Sequence, residues 1–87
     1  MIEKQYTIGN DQGLHARPAS LLVQTASQSK SNVVLLKGDK EYNAKSVLGI
    51  MSIGAKKGDV VTIKIDGPDE AETATKIEEL FHNNFGE

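Results

Sequence analysis

The chain of 87 residues is short enough for a single domain, residues 1–87, whose small core keeps any functional site near the surface. It contains no cysteine, which excludes disulfides and thiolate metal ligands and fits a reducing compartment. Its 10 basic and 12 acidic side chains give a formal net charge of -2, so the charge balance provides no general attraction to nucleic acid or to anionic membranes.

No segment has the character of a membrane span or a signal peptide. Apolar runs such as residues 33–36 are far shorter than the about 20 residues that a membrane helix needs. The first eight residues include Glu3 and Lys4 and lack an apolar stretch. We therefore expect a soluble, cytoplasmic protein without membrane insertion. Two histidines and scattered carboxylates predict neither a metal site nor a cofactor.

Two kinds of periodicity divide the first third of the chain. Apolar and polar residues roughly alternate over residues 2–8, which predicts a strand, and residues 9–13 are rich in turn-forming residues. A helix is predicted to begin at about His15 or Ala16, with Pro18 in its first turn, where the missing N–H is tolerated. Its apolar stripe recurs at helical spacing: Ala19, Leu22, Val23 and Ala26.

The middle of the chain predicts a hairpin and a short helix. The β-branched and Leu-rich segment Asn32–Lys37 predicts a strand, and a Gly-Asp turn returns the chain into a second strand at about Lys40–Asn43. Ser46 is placed to cap a helix over residues 47–53, which Gly54 ends.

The last third predicts one strand and one helix. Residues 60–65 alternate clearly, with Val61, Ile63 and Ile65 on one face. A turn over residues 66–69 leads into a helix whose first turn is predicted to contain the acidic residues Asp69, Glu70 and Glu72, which suit the helix dipole. The buried face of this helix is predicted to comprise Ala74, Ile77 and Phe81, with Leu80 beside them.

The element order is therefore β-α-β-β-α-β-α. Four strands and three helices in one small chain predict an α+β sandwich with the helices on one side of the sheet. Periodicity does not determine the strand order.

The segment around His15 is the most informative for chemistry. The backbone N–H groups in the first turn of a helix, here those of Ala16 and Arg17, have no intrahelical partner and form an anion site with the helix dipole. Arg17 adds planar donors suited to phosphate oxygens. The helix dipole also favours neutral imidazole, the form that can attack phosphorus. From the pattern alone, an idle His15 and a solvated Arg17 remain alternatives.

The segment after Ser46 has two interpretations. Ser46 is either a plain helix cap or a regulatory phosphorylation site, and the two roles are compatible because a helix N-terminus favours a phosphate. The helix that follows is too short to bury all of its apolar residues. Val47, Leu48 and Met51 are either core residues or a docking patch for a partner.

Two motifs carry a resemblance to a known family. The sequence GLHARPAS stands at residues 13–20, and NAKSVLGIMSIG stands at residues 43–54. With both motifs at this spacing, the chain resembles HPr, the histidine-containing phosphocarrier family of the bacterial sugar phosphotransferase system. The resemblance implies an open-faced β-sandwich, in which a four-stranded antiparallel sheet carries three helices on one face.

The resemblance also implies a phosphoryl relay rather than a turnover enzyme. His15 would accept phosphate on Nδ1 from phospho-enzyme I and pass it to IIA domains of sugar permeases, with Arg17 contacting the phosphoryl group. The Ser46 motif is similar to that of Gram-positive-type members, in which an HPr kinase/phosphorylase modifies the serine and the phosphoserine form is corepressor for a catabolite-control transcription factor. We also expect partners to dock through Ser20, Val47, Leu48 and Met51, and the carrier to be a monomer.

The chain departs from the family pattern at three positions. Ser20 stands where many members have Thr, and Val47 and Leu48 stand where Gram-positive members usually have Ile and Met. An alternative function is that of a purely regulatory relative acting through phospho-Ser46, but that sister class lacks the histidine. A small nucleic-acid-binding domain is a third possibility, which the acidic balance and the few aromatic residues disfavour.

Overall fold

The computed structural model describes residues 1–86, which form a four-stranded sheet and three α-helices in the predicted order. A short 3₁₀ turn follows the last helix. The elements are β1 (Ile2–Thr7), α1 (Ala16–Ser27), β2 (Asn32–Lys37), β3 (Lys40–Asn43), α2 (Val47–Ser52), β4 (Val60–Asp66), α3 (Glu70–His82) and the turn Asn84–Gly86.

The sheet is antiparallel throughout, with strand order β1-β4-β2-β3. β4 and β2 lie at its centre, with Tyr6 of β1 opposite Val61 and Leu35 of β2 opposite Ile63. β4, the last strand in the sequence, therefore lies between β1 and β2. Each inner strand is paired on both sides, which leaves β1 and β3 as the edges.

One face of the sheet packs against the helices and the other is open. Along β4, Val61, Ile63 and Ile65 are buried, whereas Val60, on the opposite face, is 51% exposed. The helices complete the core with buried apolar residues, including Leu22, Ile50 and Ile77. Burial of alternate strand residues against one helical layer confirms the predicted open-faced sandwich.

The C-terminal turn adds a core residue that the sequence analysis missed. Asn84 and Phe85 both have positive φ angles, 53° and 56°, which non-glycine residues rarely adopt. The strained backbone turns Phe85 inward, where it is 2% exposed and packs edge-on against Phe81. Phe81 in turn stacks on Tyr6, with ring centroids 4.4 Å apart. This aromatic column ties the end of the chain to β1.

The prediction that Asp69 lies in the first turn of α3 is wrong. Asp69 is the N-cap residue, and its side chain makes no cap hydrogen bond. Its carboxylate instead accepts hydrogen bonds from the Ser31 hydroxyl at 2.5 Å and from the Lys30 N–H at 2.9 Å. These contacts, the Ser31 hydroxyl first and the Lys30 amide second, hold the pKa of Asp69 below its usual range. Asp69 thus fastens the α1–β2 connection to the start of α3.

The lowered pKa of Asp69 predicts a loss of stability in acid. The contribution of such a carboxylate is present above its unfolded pKa and is lost as the pH falls through its folded pKa. We expect Asp69→Asn to lower the melting temperature at neutral pH and to reduce the further loss on acidification. Thermal melts at neutral and acidic pH test this. Asp39→Asn, in the exposed β2–β3 turn, is the control, and an equal effect of the two changes would contradict the assignment.

Candidate functional site: the N-terminus of the first helix

His15 is the N-cap residue of α1, as its position in the sequence predicts. Its backbone is extended, with φ -83° and ψ -166°, and its side chain makes no cap hydrogen bond. The first intrahelical bond runs from the Ala19 N–H to the His15 carbonyl oxygen at 3.0 Å. Because Pro18 has no N–H, Ala16 and Arg17 supply the two backbone donors that have no partner within the helix. The positive end of the helix dipole therefore presents two N–H groups beside His15.

The side chains around this helix end differ in exposure. His15 is half-buried, whereas Arg17 is exposed. Arg17 lines an open groove with residues 9–12 and Asn84. Ser20 is half-buried, one helical turn after Ala16. The structure thus places the His, the Arg and the free helix end at one surface.

The loop before His15 is held in place by the connection between α2 and β4. The Leu14 N–H donates to the Ala55 carbonyl oxygen at 3.1 Å, and the Leu14 side chain is buried. Gly13 has φ +67°, and a Cβ there would overlap the Ala55 carbonyl oxygen and lie 2.9 Å from Lys56 Cα. The close approach of the two backbones therefore requires glycine at position 13.

Ser46 caps α2 as predicted. Its hydroxyl oxygen accepts a hydrogen bond from the Gly49 N–H at 3.1 Å, and the residue is exposed. The hydroxyl is therefore both a structural cap and reachable from solvent.

The apolar residues of α2 divide between the core and the surface. Ile50 is buried, and Val47 is half-buried against the core. Leu48 is 81% exposed and Met51 is 40% exposed. Of the three docking residues predicted in α2, Leu48 and Met51 are exposed apolar side chains, whereas Val47 also contributes to packing.

Tyr42 lies beside Gly49 of α2 and was missed by the sequence analysis. It is exposed, and its ring lies beside Gly49, close enough that a Cβ on that glycine would be 3.3 Å from the ring. The sequence carries little information here, because a strand of 4 residues is too short for its periodicity to predict which side chains neighbour Tyr42.

Neither a metal site nor a membrane-spanning helix is found in the part of the chain that the structure describes. Residues 1–86 contain no group of three or more His, Cys, Asp or Glu side chains that could hold a metal ion. Within the same residues, no helix is long and apolar enough to cross a membrane.

Comparison with known proteins identifies the family to which this site belongs. The model of the family described as "PTS HPr component phosphorylation site" matches residues 2–83. The chain belongs to the HPr family. A phosphocarrier protein HPr from Xylella fastidiosa is 44% identical over 87 residues, covering 100% of this chain and 98% of the relative.

Solved HPr structures agree with the fold. The crystal structure of HPr-C-His from Thermoanaerobacter tengcongensis has a TM-score of 0.96 at 46% identity, covering 100% of this chain and 98% of that one. Crh, the catabolite repression containing protein of Bacillus subtilis, gives a TM-score of 0.68 at 38% identity, covering 91% and 95%. As an HPr, the chain is a cytoplasmic phosphocarrier of the phosphotransferase system, a relay protein rather than an enzyme.

The close approach at Gly13 predicts a specific cost for adding a side chain. A non-glycine residue in the left-handed region costs about 1–2 kcal/mol. Gly13→Ala should cost more than this, because its Cβ also overlaps the Ala55 carbonyl oxygen. Gly38→Ala is the matched control, since Gly38 has φ +61° and no atom within 4 Å of its Cβ position. Chemical denaturation of both variants measures the difference, and equal losses would mean that the two loops separate without cost.

Proposed function

We propose that His15 carries the phosphoryl group, accepting it from phospho-enzyme I and passing it to IIA domains of sugar permeases. The observation that supports this proposal best is the position of His15 at the start of α1, beside the N–H groups of Ala16 and Arg17. A phosphoryl group on the imidazole would have its oxygens near these donors and near the positive end of the helix dipole.

The reaction needs neutral imidazole and an in-line geometry. The Nδ1 lone pair attacks phosphorus and the new N–P bond forms. The bond between phosphorus and the donor group of phospho-enzyme I breaks, and its electron pair returns to that donor group. The second transfer runs in the same way, with His15 as the leaving group. The protein contributes mainly position and electrostatic stabilisation, because phosphoryl transfer needs little other chemistry from it.

The donors at the helix end suit an intermediate of moderate stability. Two backbone N–H groups are fixed and cannot follow the phosphoryl group as it leaves. Arg17, which is exposed, can contact the phosphoryl oxygens through its planar donors and release them when the acceptor docks. A carrier must bind its phosphoryl group without trapping it, and one mobile cation with two fixed dipoles meets that requirement.

The docking surface in this proposal comprises Ser20, Val47, Leu48 and Met51. The exposed apolar side chains of Leu48 and Met51 provide contact area, and the half-buried Ser20 lies on the same helix as His15. Partners that bury this surface can approach His15 from the exposed end of α1. The carrier acts as a monomer in this scheme, so that each partner in turn meets an uncovered site.

Regulation through Ser46 is the second element of the proposal. As in Gram-positive-type members, an HPr kinase/phosphorylase would modify Ser46, and the product would serve as corepressor for a catabolite-control transcription factor. The exposure of the hydroxyl supports this role. So does the likeness to Crh, the catabolite repression containing protein of Bacillus subtilis.

A purely regulatory protein acting through phospho-Ser46 is the alternative function. The exposed cap at Ser46 favours it as much as it favours regulation of a carrier. The two differ at His15, because only the carrier needs a phosphohistidine.

The test of the carrier is phosphorylation by enzyme I and phosphoenolpyruvate. The wild-type protein should gain an acid-labile, base-stable phosphate, and His15→Ala should lose it while melting normally. His82→Ala is the matched control, because His82 is exposed near the end of α3 and should not affect uptake. Normal uptake by the His15 variant would rule out the proposed site. Failure of the wild-type protein to accept phosphate would favour the regulatory alternative.

The docking proposal predicts an effect of charge on α2. Leu48→Asp places a carboxylate in the surface that a partner would bury. The affinity of this variant for enzyme I should fall about tenfold or more, because binding would desolvate an unpaired charge. Val60→Asp is the matched control, since Val60 is also an exposed apolar residue but lies on the open face of the sheet. Binding by calorimetry, with a thermal melt of each variant, separates docking from folding. Equal affinities of the two variants would place the interface elsewhere.

Phosphorylation of Ser46 should change partner choice. The phosphate adds about -1.5 to -2 charge at neutral pH next to Leu48. A partner that buries this surface must desolvate the phosphate unless it offers a cation. We expect enzyme I to phosphorylate His15 more slowly on the phosphoserine form. Stopped-flow rates with and without stoichiometric phosphate on Ser46 measure this, and equal rates would leave Ser46 as a helix cap alone.

A further inference from the structure

The active-site loop, residues 8–14, is hydrogen-bonded to the supporting loop, residues 54–59. At one end the Leu14 N–H donates to the Ala55 carbonyl oxygen at 3.1 Å. At the other end the Ile8 N–H donates to the Asp59 carbonyl oxygen at 2.9 Å, and the Gly58 N–H donates back to the Ile8 carbonyl oxygen at 2.8 Å. The position of His15 therefore depends on the shape of the supporting loop.

The side chain of Asp59 closes the supporting loop on itself. Its Oδ2 accepts a hydrogen bond from the Lys56 N–H at 2.9 Å, while the Asp59 N–H donates to the Lys56 carbonyl oxygen at 2.9 Å. This reciprocal pair fixes residues 56–59 as a turn. The Lys56 amide first, and the Lys37 ammonium next, hold the pKa of Asp59 below its usual range, so the carboxylate is ionised at neutral pH.

Lys37, at the end of β2, fastens the supporting loop to the sheet. Its ammonium lies 3.0 Å from Asp59 Oδ2 and donates to the Gly54 carbonyl oxygen at 3.4 Å. The side chains of Lys37 and Asp59 are 31% and 33% exposed, so the pair is less screened than a fully solvated one. A different ion pair, Lys57 with Asp11 at 2.8 Å, joins the supporting loop to the active-site loop. Its side chains are 61% and 87% exposed, so it should contribute little.

We propose that Asp59, held by Lys37, is a positioning residue for phosphoryl transfer through His15. The carboxylate sets the shape of the supporting loop, the Ala55 carbonyl oxygen transmits that shape to Leu14, and Leu14 places the N-cap histidine beside the Ala16 and Arg17 N–H groups. Asp59 acts through the loop and contacts no transferring atom. This inference rests on the proposed function of His15.

A purely stabilising role is the competing explanation, and the chain offers a matched control for it. Asp69 also accepts one backbone N–H and one side-chain donor, and its pKa is also lowered. It fastens the connection that follows the C-terminal end of α1, whereas His15 stands at the N-terminal end. Asp69→Ala should therefore lower the stability of the protein without changing the position of His15.

Three variants remove different parts of the interactions made by the Asp59 carboxylate. Asp59→Ala removes both the Lys56 hydrogen bond and the Lys37 ion pair. Asp59→Asn keeps an oxygen for the Lys56 N–H but loses the ion pair. Lys37→Met loses the ion pair from the other side, together with the contact to the Gly54 carbonyl oxygen. If Asp59 positions His15, phosphoryl transfer should slow most in Asp59→Ala. The other two variants should show smaller losses of similar size.

The experiment measures transfer and local geometry together, well below the melting temperature of every variant. The initial rate of His15 phosphorylation by enzyme I and phosphoenolpyruvate should fall about tenfold in Asp59→Ala and about threefold in Asp59→Asn and Lys37→Met, because small misplacements of a reacting group are costly. Hydrogen-exchange protection of the Leu14 amide should fall in the same order, and the imidazole NMR signals of His15 should shift. Asp69→Ala should change none of these.

Several outcomes would overturn the inference. Wild-type rates and an unchanged Leu14 amide in Asp59→Asn and Lys37→Met would do so, even if Asp59→Ala failed to fold. Slower transfer in Asp69→Ala, to the same degree as in the Asp59 variants, would reduce the effect to general stability. The wild-type arm separates the two proposals: if the wild-type protein takes no phosphate on His15, the proposed function fails, whereas normal uptake with unaffected variants contradicts only the role of Asp59.

Discussion

The hydrogen bond from the Leu14 N–H to the Ala55 carbonyl oxygen holds the start of α1 at the edge of the core. Leu14 is buried, and the next residue, His15, is half-exposed at the helix end. A helix whose apolar face is buried has little freedom to rotate, so the direction of its first N–H groups is set by packing. The site therefore needs no dedicated cavity. In the proposed function, a fixed helix end, one histidine and one arginine bind the phosphoryl group.

The two helices that carry the proposed phosphorylation sites differ in what their N-termini do. In α1 the side chain of His15 makes no cap hydrogen bond, which leaves the Ala16 and Arg17 N–H groups without a partner inside the helix. In α2 the Ser46 hydroxyl caps the Gly49 N–H. The first arrangement suits a group that must come and go within each relay cycle. The second is complete without phosphate, so a modification there would act on partners more than on the fold.

The sequence determined the start of α1 well because several local signals agree. Turn-forming residues, Pro18 in the first turn and a helical apolar stripe all place the N-cap at or next to His15. The division of α2 into buried and exposed residues was not predictable, since a helix of 6 residues has too few turns for periodicity to assign a face. Leu48 and Ile50 are equally apolar in the sequence, and only the orientation of α2 in the fold exposes Leu48 and buries Ile50.

Long-range contacts account for the other differences. Asp69 binds the connection after α1, and Phe85 packs against Phe81 through a backbone with positive φ, neither of which local propensity indicates. The pairing of Lys37 with Asp59 depends on a strand order that periodicity left open. Local patterns thus predicted the elements and the position of His15 at the start of α1. The contacts that support this helix start come from parts of the chain that are distant in sequence.

The central claim is that the N-terminus of α1 holds the phosphoryl group of His15. Amide NMR spectra before and after phosphorylation by enzyme I test it most directly. On phosphorylation the Ala16 and Arg17 amide protons should move downfield more than any others, because they become donors to phosphoryl oxygens. The Gly49 amide, which Ser46 already caps, should stay in place. Phosphate on His15 with unchanged Ala16 and Arg17 amides would contradict the account.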